Sequence, residues 1–300
     1  MPFIGELAAL ATSIFFSIGP TFFTLAGRLV GSAVVNRTRL VVALVYLLLT
    51  HWILFGAPLP LEANLDRWFW LGLSGLIGFV FGDAALFQAF IMLGTRLTML
   101  VFATNPIVAA ILAWIFLGEA LSFTQITGML VTLAGIGWVM LEQNDPNQEP
   151  EGRRVYAGGI LLAFLAAIGQ AGGAVTAKMG LYGDFPALSG QIMRVSIATI
   201  LIWTISLLSG QAKGTISTLK ENRKAIQHIL IASFIGPYLG VFFSLVAIQN
   251  AEIGIASTLM SLQPIILIPI GVYFFKEEVT WRAVAGTIVA LIGVAVIFLV

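Results

Sequence analysis

Apolar residues run along this chain in ten long stretches, at about positions 3–29, 40–55, 68–93, 97–117, 123–141, 156–180, 187–208, 226–249, 253–275 and 279–299. Most approach the ~20 apolar residues that a helix needs to cross the hydrocarbon of a bilayer. Short polar breaks separate them. The longest are 142–154, rich in Asn, Asp, Gln, Glu and Pro, and 210–224. The first reads as a flexible linker at the midpoint of the chain. The strict apolar–polar alternation of a membrane β-barrel is missing. The pattern predicts an all-α polytopic membrane protein with ten transmembrane helices. These use most of the chain and leave no segment long enough for a catalytic domain.

Composition agrees with the pattern. Apolar residues make up 59 % and charged residues 10 %, and the mean hydropathy is +1.01. A soluble domain carries roughly 25 % charge, so this chain lacks the polar surface to stand in water. A net charge of +1 with scattered basic residues excludes a nucleic-acid partner. With no Cys there is no disulfide framework, no thiolate metal site and no Cys nucleophile. No cofactor is implied. The start of the chain has no basic stretch, and Glu6 opens the first apolar run. That run is expected to be a retained helix rather than a cleaved signal.

The chain repeats itself. A shift of 158 places Gly78 on Gly236, Gly82 on Gly240, Pro106 on Pro264, Glu119 on Glu277, Gly128 on Gly286 and Gly135 on Gly293. A smaller shift pairs Arg39-x-x-x-Ala43 with Arg194-x-x-x-Ala198, and a shift of 154 pairs Gly19 with Gly173. Five helices in each half force the halves into opposite orientations, which predicts two inverted five-helix repeats around a central cavity. The repeats are expected over 1–145 (helices one to five) and 152–300 (helices six to ten). Helices one, three, four, six, eight and nine should line the cavity, with the fifth and tenth at the periphery.

Pro106 followed by Gly118-Glu119, Gly128 and Gly135, and the same spacing from Pro264, resembles the EamA module of the drug/metabolite transporter superfamily. The chain looks like two tandem modules and is most similar to the YddG-type amino-acid exporters. The second module departs at Lys276, where the first has Gly118. The resemblance implies a secondary transporter of the bacterial inner membrane. It would export amino acids, including aromatic ones, and related small metabolites by alternating access. Drugs or other metabolites on the same scaffold are the first alternative, since a fold does not fix a substrate, and a channel or an intramembrane enzyme is the less favoured one. The implied partners are a small-molecule substrate and the lipid bilayer. A monomer suffices, because one chain holds both repeats.

Several residues are candidates for the substrate site. Asp83 is an acidic residue deep inside an apolar stretch, where a charge costs at least ~2.5 kcal/mol. It reads either as a ligand for an ammonium group or a proton, or as a carboxylate bonded within the bundle. Its repeat partner is Val241. Gln88 is five residues on and could line the same space or pack in the core. Pro106 and Pro264 each remove a backbone donor and free a carbonyl four residues earlier, at Phe102 and Met260. Each follows a carboxamide, Asn105 and Gln263, and this pairing suggests polar spots that bind the ends of a zwitterion. The alternative is that the amides satisfy the kinked backbone. Tyr238, beside Pro237 and Gly240, marks another irregular helix and a ring that could reach a cavity. Arg39, Arg96 and Lys178 are expected to snorkel to the interface. Arg194, being deeper, is expected to meet a carboxylate. His51 and His228 look like neither ligands nor relays. Gly72, Gly75, Gly78 and Gly82 form a close-approach stripe, and Gly169, Gly172 and Gly173 give the sixth helix similar freedom.

No Walker A loop appears, which argues against ATP drive, and no HExxH or Ser–His constellation argues for an enzyme. The stretch Thr12–Ser17 lacks the mid-membrane acid that drives proton exchange in the small multidrug resistance branch, so coupling through Asp83 and facilitated diffusion both stay open. Orientation is contested. Arg28, Arg37, Arg96, Arg153, Arg154, Lys213, Lys220, Arg223, Lys224, Lys276 and Arg282 share one side, while the other holds little beyond Arg67 and Lys178. The positive-inside rule then puts both termini outside, whereas the resemblance implies termini inside. A C-terminal reporter active only in the cytoplasm decides this: a silent fusion supports the charge count, an active one the resemblance.

Overall fold

The computed structural model describes residues 3–142, 153–270 and 280–298. The middle of the expected linker, Lys276 and Glu277 lie outside the described residues.

Apolar runs form the long helices α1 (Ile4–Val30), which continues through Pro20, and α2 (Ser32–Phe55), which has no proline. Gly31 separates them with φ 82°, a backbone state that side-chain-bearing residues rarely adopt. A further chain of helices follows: α3 (Leu65–Gly75), α4 (Asp83–Phe102), α5 (Asn105–Leu117) and α6 (Phe123–Glu142). The second half holds α7 (Arg153–Gly180), α8 (Ala187–Leu208), α9 (Ala212–Glu221), α10 (Arg223–Ser233), α11 (Val241–Asn250), α12 (Ile253–Met260), α13 (Gln263–Ile270) and α14 (Trp281–Phe298). No strand occurs among the described residues. The Asn64 side chain caps α3 by accepting from the Arg67 N–H at 3.1 Å. Ser122 and Gln125 cap the start of α6 reciprocally, each backbone N–H donating to the other's side-chain oxygen.

Among the described residues seven helical spans are long and apolar enough to cross a membrane, and the other three expected stretches fall on the shorter apolar helices Ile4–Gly19, Phe123–Val139 and Ile253–Ile266. One boundary differs from expectation. The predicted break between positions 93 and 97 is absent, and α4 runs through it to Phe102. The chain turns instead at Ala103 and Thr104, just before Asn105-Pro106. Nothing in Gly94-Thr95-Arg96 removes a backbone donor, whereas Pro106 has no N–H for the Phe102 carbonyl, at which α4 ends. Pro106 and Pro264 therefore sit in the first turns of α5 and α13, not inside longer helices.

Two seven-residue π-helical turns interrupt the bundle, at Leu76–Gly82 between α3 and α4 and at Phe234–Gly240 between α10 and α11. They are 158 residues apart, as are the starts of α5 and α13 and of α6 and α14. The irregularities are thus duplicated with the sequence.

Helices that match under this repeat cross antiparallel. His51 of α2 meets Ser189 of α8 at 3.0 Å, and the Trp203 indole of α8 donates to the Arg37 carbonyl at 3.2 Å. Gly128 of α6 abuts Gly293 and Ile297 of α14, while Gly135 abuts Gly286 and Ala290. Contacts between the halves are also reciprocal. Gly173 of α7 meets Gly78 of the first π turn, and Gly19 of α1 meets Gly236 of the second. In hydrocarbon, apolar side chains gain nothing by leaving lipid for one another, so helix association rests on packing and small residues. At Gly135 a Cβ would lie 2.4 Å from the Ala290 backbone nitrogen, while Gly137 has nothing within 4 Å.

Gly135→Ala must therefore push α6 from α14 and is expected to cost about 1–3 kcal/mol, the usual range for overpacking. Gly137→Ala should leave stability unchanged. Thermal melts of the two variants in detergent check this.

Candidate substrate site

Asp83 is the first residue after the π turn, and it is buried. The extra residue in that turn takes Asp83 out of simple α register with α3. Gly82 beside it lets α7 approach, since a Cβ there would lie 3.4 Å from the Gln170 nitrogen. Four polar side chains converge here from both halves of the chain. Arg39 of α2 donates from Nη2 to Asp83 Oδ2 in an ion pair whose side chains are only 12 % and 10 % exposed. Gln170 of α7 donates from Nε2 to Asp83 Oδ1 at 2.7 Å and to the Gly78 carbonyl at 3.3 Å. Arg194 of α8 lies within electrostatic reach of Asp83. A Cβ on Gly78 would stand 3.7 Å from Arg194 Nη2 and 3.9 Å from Gln170 Oε1, so these two side chains meet over that glycine.

Arg39 and Arg194 are repeat mates, each the eighth residue of its helix. Because α2 and α8 are antiparallel, the two cations enter the bundle from opposite ends. Arg39 does not snorkel as expected. An unpaired carboxylate in hydrocarbon costs more than bending a guanidinium inward, and the fork of Arg suits a carboxylate. The Phe23 and Phe87 rings lie 5.7 and 5.3 Å from the Arg39 guanidinium carbon, and the Asn36 side chain accepts from its Nε at 2.9 Å. Arg194 lies over the Phe79 ring at 4.9 Å, and its buried Nε has no hydrogen-bond partner among the described residues. Gln170 was not among the expected residues. Its signal was an amide between Gly169 and Gly172 in an otherwise apolar run.

The other candidates lie elsewhere. Gln88 is exposed. Five residues turn a helix about 140° past a full turn, so it points away from Asp83. Asn105 donates to the Ala167 carbonyl of α7 at 2.9 Å. Gln263 donates to the Met260 carbonyl at 3.2 Å, the one its neighbour Pro264 leaves free. Its own carbonyl accepts from Ser17 at 3.1 Å. Gln263 thus serves the broken backbone with its N–H group, while Asn105 ties the start of α5 to α7. The Tyr238 hydroxyl bonds Thr50 at 2.8 Å, with Tyr46 and Phe234 against its ring. Gln191, also unexpected, donates to the Pro237 and Tyr238 carbonyls at 2.5 and 3.0 Å, filling for the second π turn the role Gln170 has at the first.

Lys178 does not snorkel either. It pairs with Glu119 at 2.5 Å and donates to the Ala251 carbonyl at 2.6 Å. The Glu119 carboxylate also accepts from the Ile253 N–H at 2.8 Å, at the start of α12. The motif glutamate ties the α5–α6 connection to the second half. His51 is buried and bonded on both ring nitrogens, to the Ala57 carbonyl and Ser189. A cleft of about 560 Å³ opens between the end of α2, the start of α8 and α11, lined by Phe55, Leu188 and Phe242 with Asp184 and Gln249. It does not reach the Asp83 cluster. The cluster is the stronger site candidate, because buried charge in hydrocarbon demands a role and an open apolar cleft does not.

The bundle is doubled at a fixed register, apolar enough to sit in a membrane, and carries charge in its interior. The model of the EamA-like transporter family matches residues 3–141 and 157–299, and the chain belongs to that family, within the drug/metabolite transporter superfamily. The chain is also similar to a chloroplastic WAT1-related protein of Arabidopsis thaliana, 23 % identical over 247 residues. The match covers 80 % of this chain and 56 % of that protein, so the chain spans little more than half the length of this curated relative. A solved crystal structure with 13 % identity superposes with a TM-score of 0.78, covering 97 % of this chain and 95 % of the other, and shares the fold. These findings point to a multi-pass membrane transporter rather than an enzyme.

The ion pair is testable. Arg39→Met alone leaves a buried carboxylate without its partner and is expected to cost about 3–5 kcal/mol. Arg39→Met combined with Asp83→Leu removes both charges of the pair and should recover part of that loss, the rest persisting because Arg194 then lacks its carboxylate. Thermal melts of the single and double variants check it, and equal losses would mean that Arg39 does not hold Asp83.

Proposed function

We propose that this chain is a secondary transporter that exports amino acids and related small metabolites, aromatic ones included, across a bacterial inner membrane by alternating access. The reading takes the bundle as ten crossings in two inverted five-helix repeats around a central site. One observation carries it. A charged cluster sits inside an apolar bundle and draws Arg39 and Asp83 from the first half and Gln170 and Arg194 from the second. A site shared between two halves can change its access when the halves move against each other. The antiparallel crossing of α2 with α8 and of α6 with α14 supports the inverted arrangement. In this reading the cluster that Asp83 organises, with Arg39, Gln170 and Arg194 around it, binds the charged groups of the substrate. Asn105, Gln263 and Tyr238 hold the wall, and Gln88 stays outside it.

Counterflow in proteoliposomes tests the reading. Vesicles loaded with an unlabelled amino acid or N-acyl amino acid are expected to accumulate the labelled compound transiently above equilibrium. Asp83→Asn should reduce this at least tenfold, about 1.4 kcal/mol, while the protein still folds. A channel would equilibrate label without overshoot. The absence of any exchange across the panel would overturn the reading.

A further inference from the structure

The cluster around Asp83 is not neutral. Arg39 and Arg194 bring two guanidiniums and Asp83 brings one carboxylate. No other described charge balances it. Lys178 and Glu119 neutralise each other beside the α11–α12 connection. Arg37 turns away to Gln211 and Thr215. Asp83 is already satisfied on both oxygens, by Arg39 on Oδ2 and Gln170 on Oδ1. Arg194 is not satisfied: it is 6 % exposed, its Nε lacks a partner among the described residues, and its guanidinium lies over the Phe79 ring and beside Gly78. A buried guanidinium with an open donor in low dielectric attracts an acceptor carrying negative charge.

Resting on the transporter reading above, we propose that Arg194 docks the carboxylate of a substrate carrying one net negative charge, while Arg39 stays with Asp83. A monoanion cancels the surplus charge of the cluster. A neutral zwitterion leaves the surplus in place and must set its ammonium against Arg39 for Asp83. A cation raises the surplus further. The substrate class is therefore monoanionic organic acids, such as N-acylated, oxidised or acidic relatives of amino acids, in preference to neutral amino acids or cationic drugs. The missing side chain at Gly78 leaves that flank of the guanidinium bare, since a Cβ there would stand 3.7 Å from Nη2. A Cβ at Gly75 would lie 2.3 Å from the Arg194 carbonyl oxygen, so a side chain there would displace the helix that carries Arg194.

Three probes with one side chain and three charges test this: N-acetylphenylalanine (monoanion), phenylalanine (zwitterion) and phenylalaninamide (cation). Counterflow by the wild-type chain in proteoliposomes is expected to show a half-saturation for N-acetylphenylalanine at least tenfold below that for phenylalanine, with the amide weakest. Arg194→Gln is expected to bring the ratio of the first two near one. Equal or better exchange of phenylalanine or the amide by the wild type would overturn the proposal while leaving the transporter reading intact. An unchanged ratio in a folded Arg194→Gln protein would overturn it as well. If no probe exchanges, the transporter reading itself fails for this class of compound. Should Arg194→Gln not fold, the wild-type comparison alone decides.

Discussion

Backbone contact at glycine is the constraint on which this bundle depends. Water does not drive helices together inside hydrocarbon, so they must earn their association by close packing. Gly173 on Gly78 and Gly19 on Gly236 bring main chains from opposite halves together without side chains between them. The two contacts are images of each other under the sequence repeat. Each first helix, α1 or α7, therefore packs on the π turn of the other half, and neither half is complete alone. The α6–α14 pair repeats the device at Gly128, Gly135, Gly286 and Gly293.

Close approach creates a second demand. A π turn leaves carbonyls out of the regular ladder, and no water in the membrane interior satisfies them. Gln170 and Gln191 meet this need, one at each π turn, by donating across to Gly78 and to Pro237 and Tyr238. Gln170 then has a second donor for Asp83. Structural repair and the candidate site are thus joined in one side chain. The second half has Val241 where the first has Asp83, so the repeated scaffold carries a one-sided charge.

The polar groups at the broken helices follow the same economy. Asn105 and Gln263 donate to carbonyls that the breaks and neighbouring helices expose. Glu119 combines an ion pair with the capping of α12, which makes the family's glutamate a tie between halves. Among the described side chains it is Arg194 that keeps an open buried guanidinium donor, and this sets it apart from groups whose bonds are filled by the fold.

The helical class, the number of apolar stretches, the duplication at a shift of 158 and the unusual placement of Asp83, Pro106, Pro264 and the glycines were all legible in the sequence alone. These rest on local quantities: hydropathy over a window, missing donors and repeated landmarks. Only tertiary structure decided the partners. Arg39 and Lys178 sit near helix ends, where sequence favours snorkelling, and their inward turn depends on carboxylates 44 and 59 positions away along the chain. Gln170 and Gln191 look like stray amides until the π turns face them. The break at Ala103 and the continuity of α4 were likewise hidden, because hydropathy does not register which residue withholds a backbone hydrogen bond. Electrostatic pairing and backbone satisfaction are made across the bundle, between residues whose separation in the chain carries no trace of their distance in space.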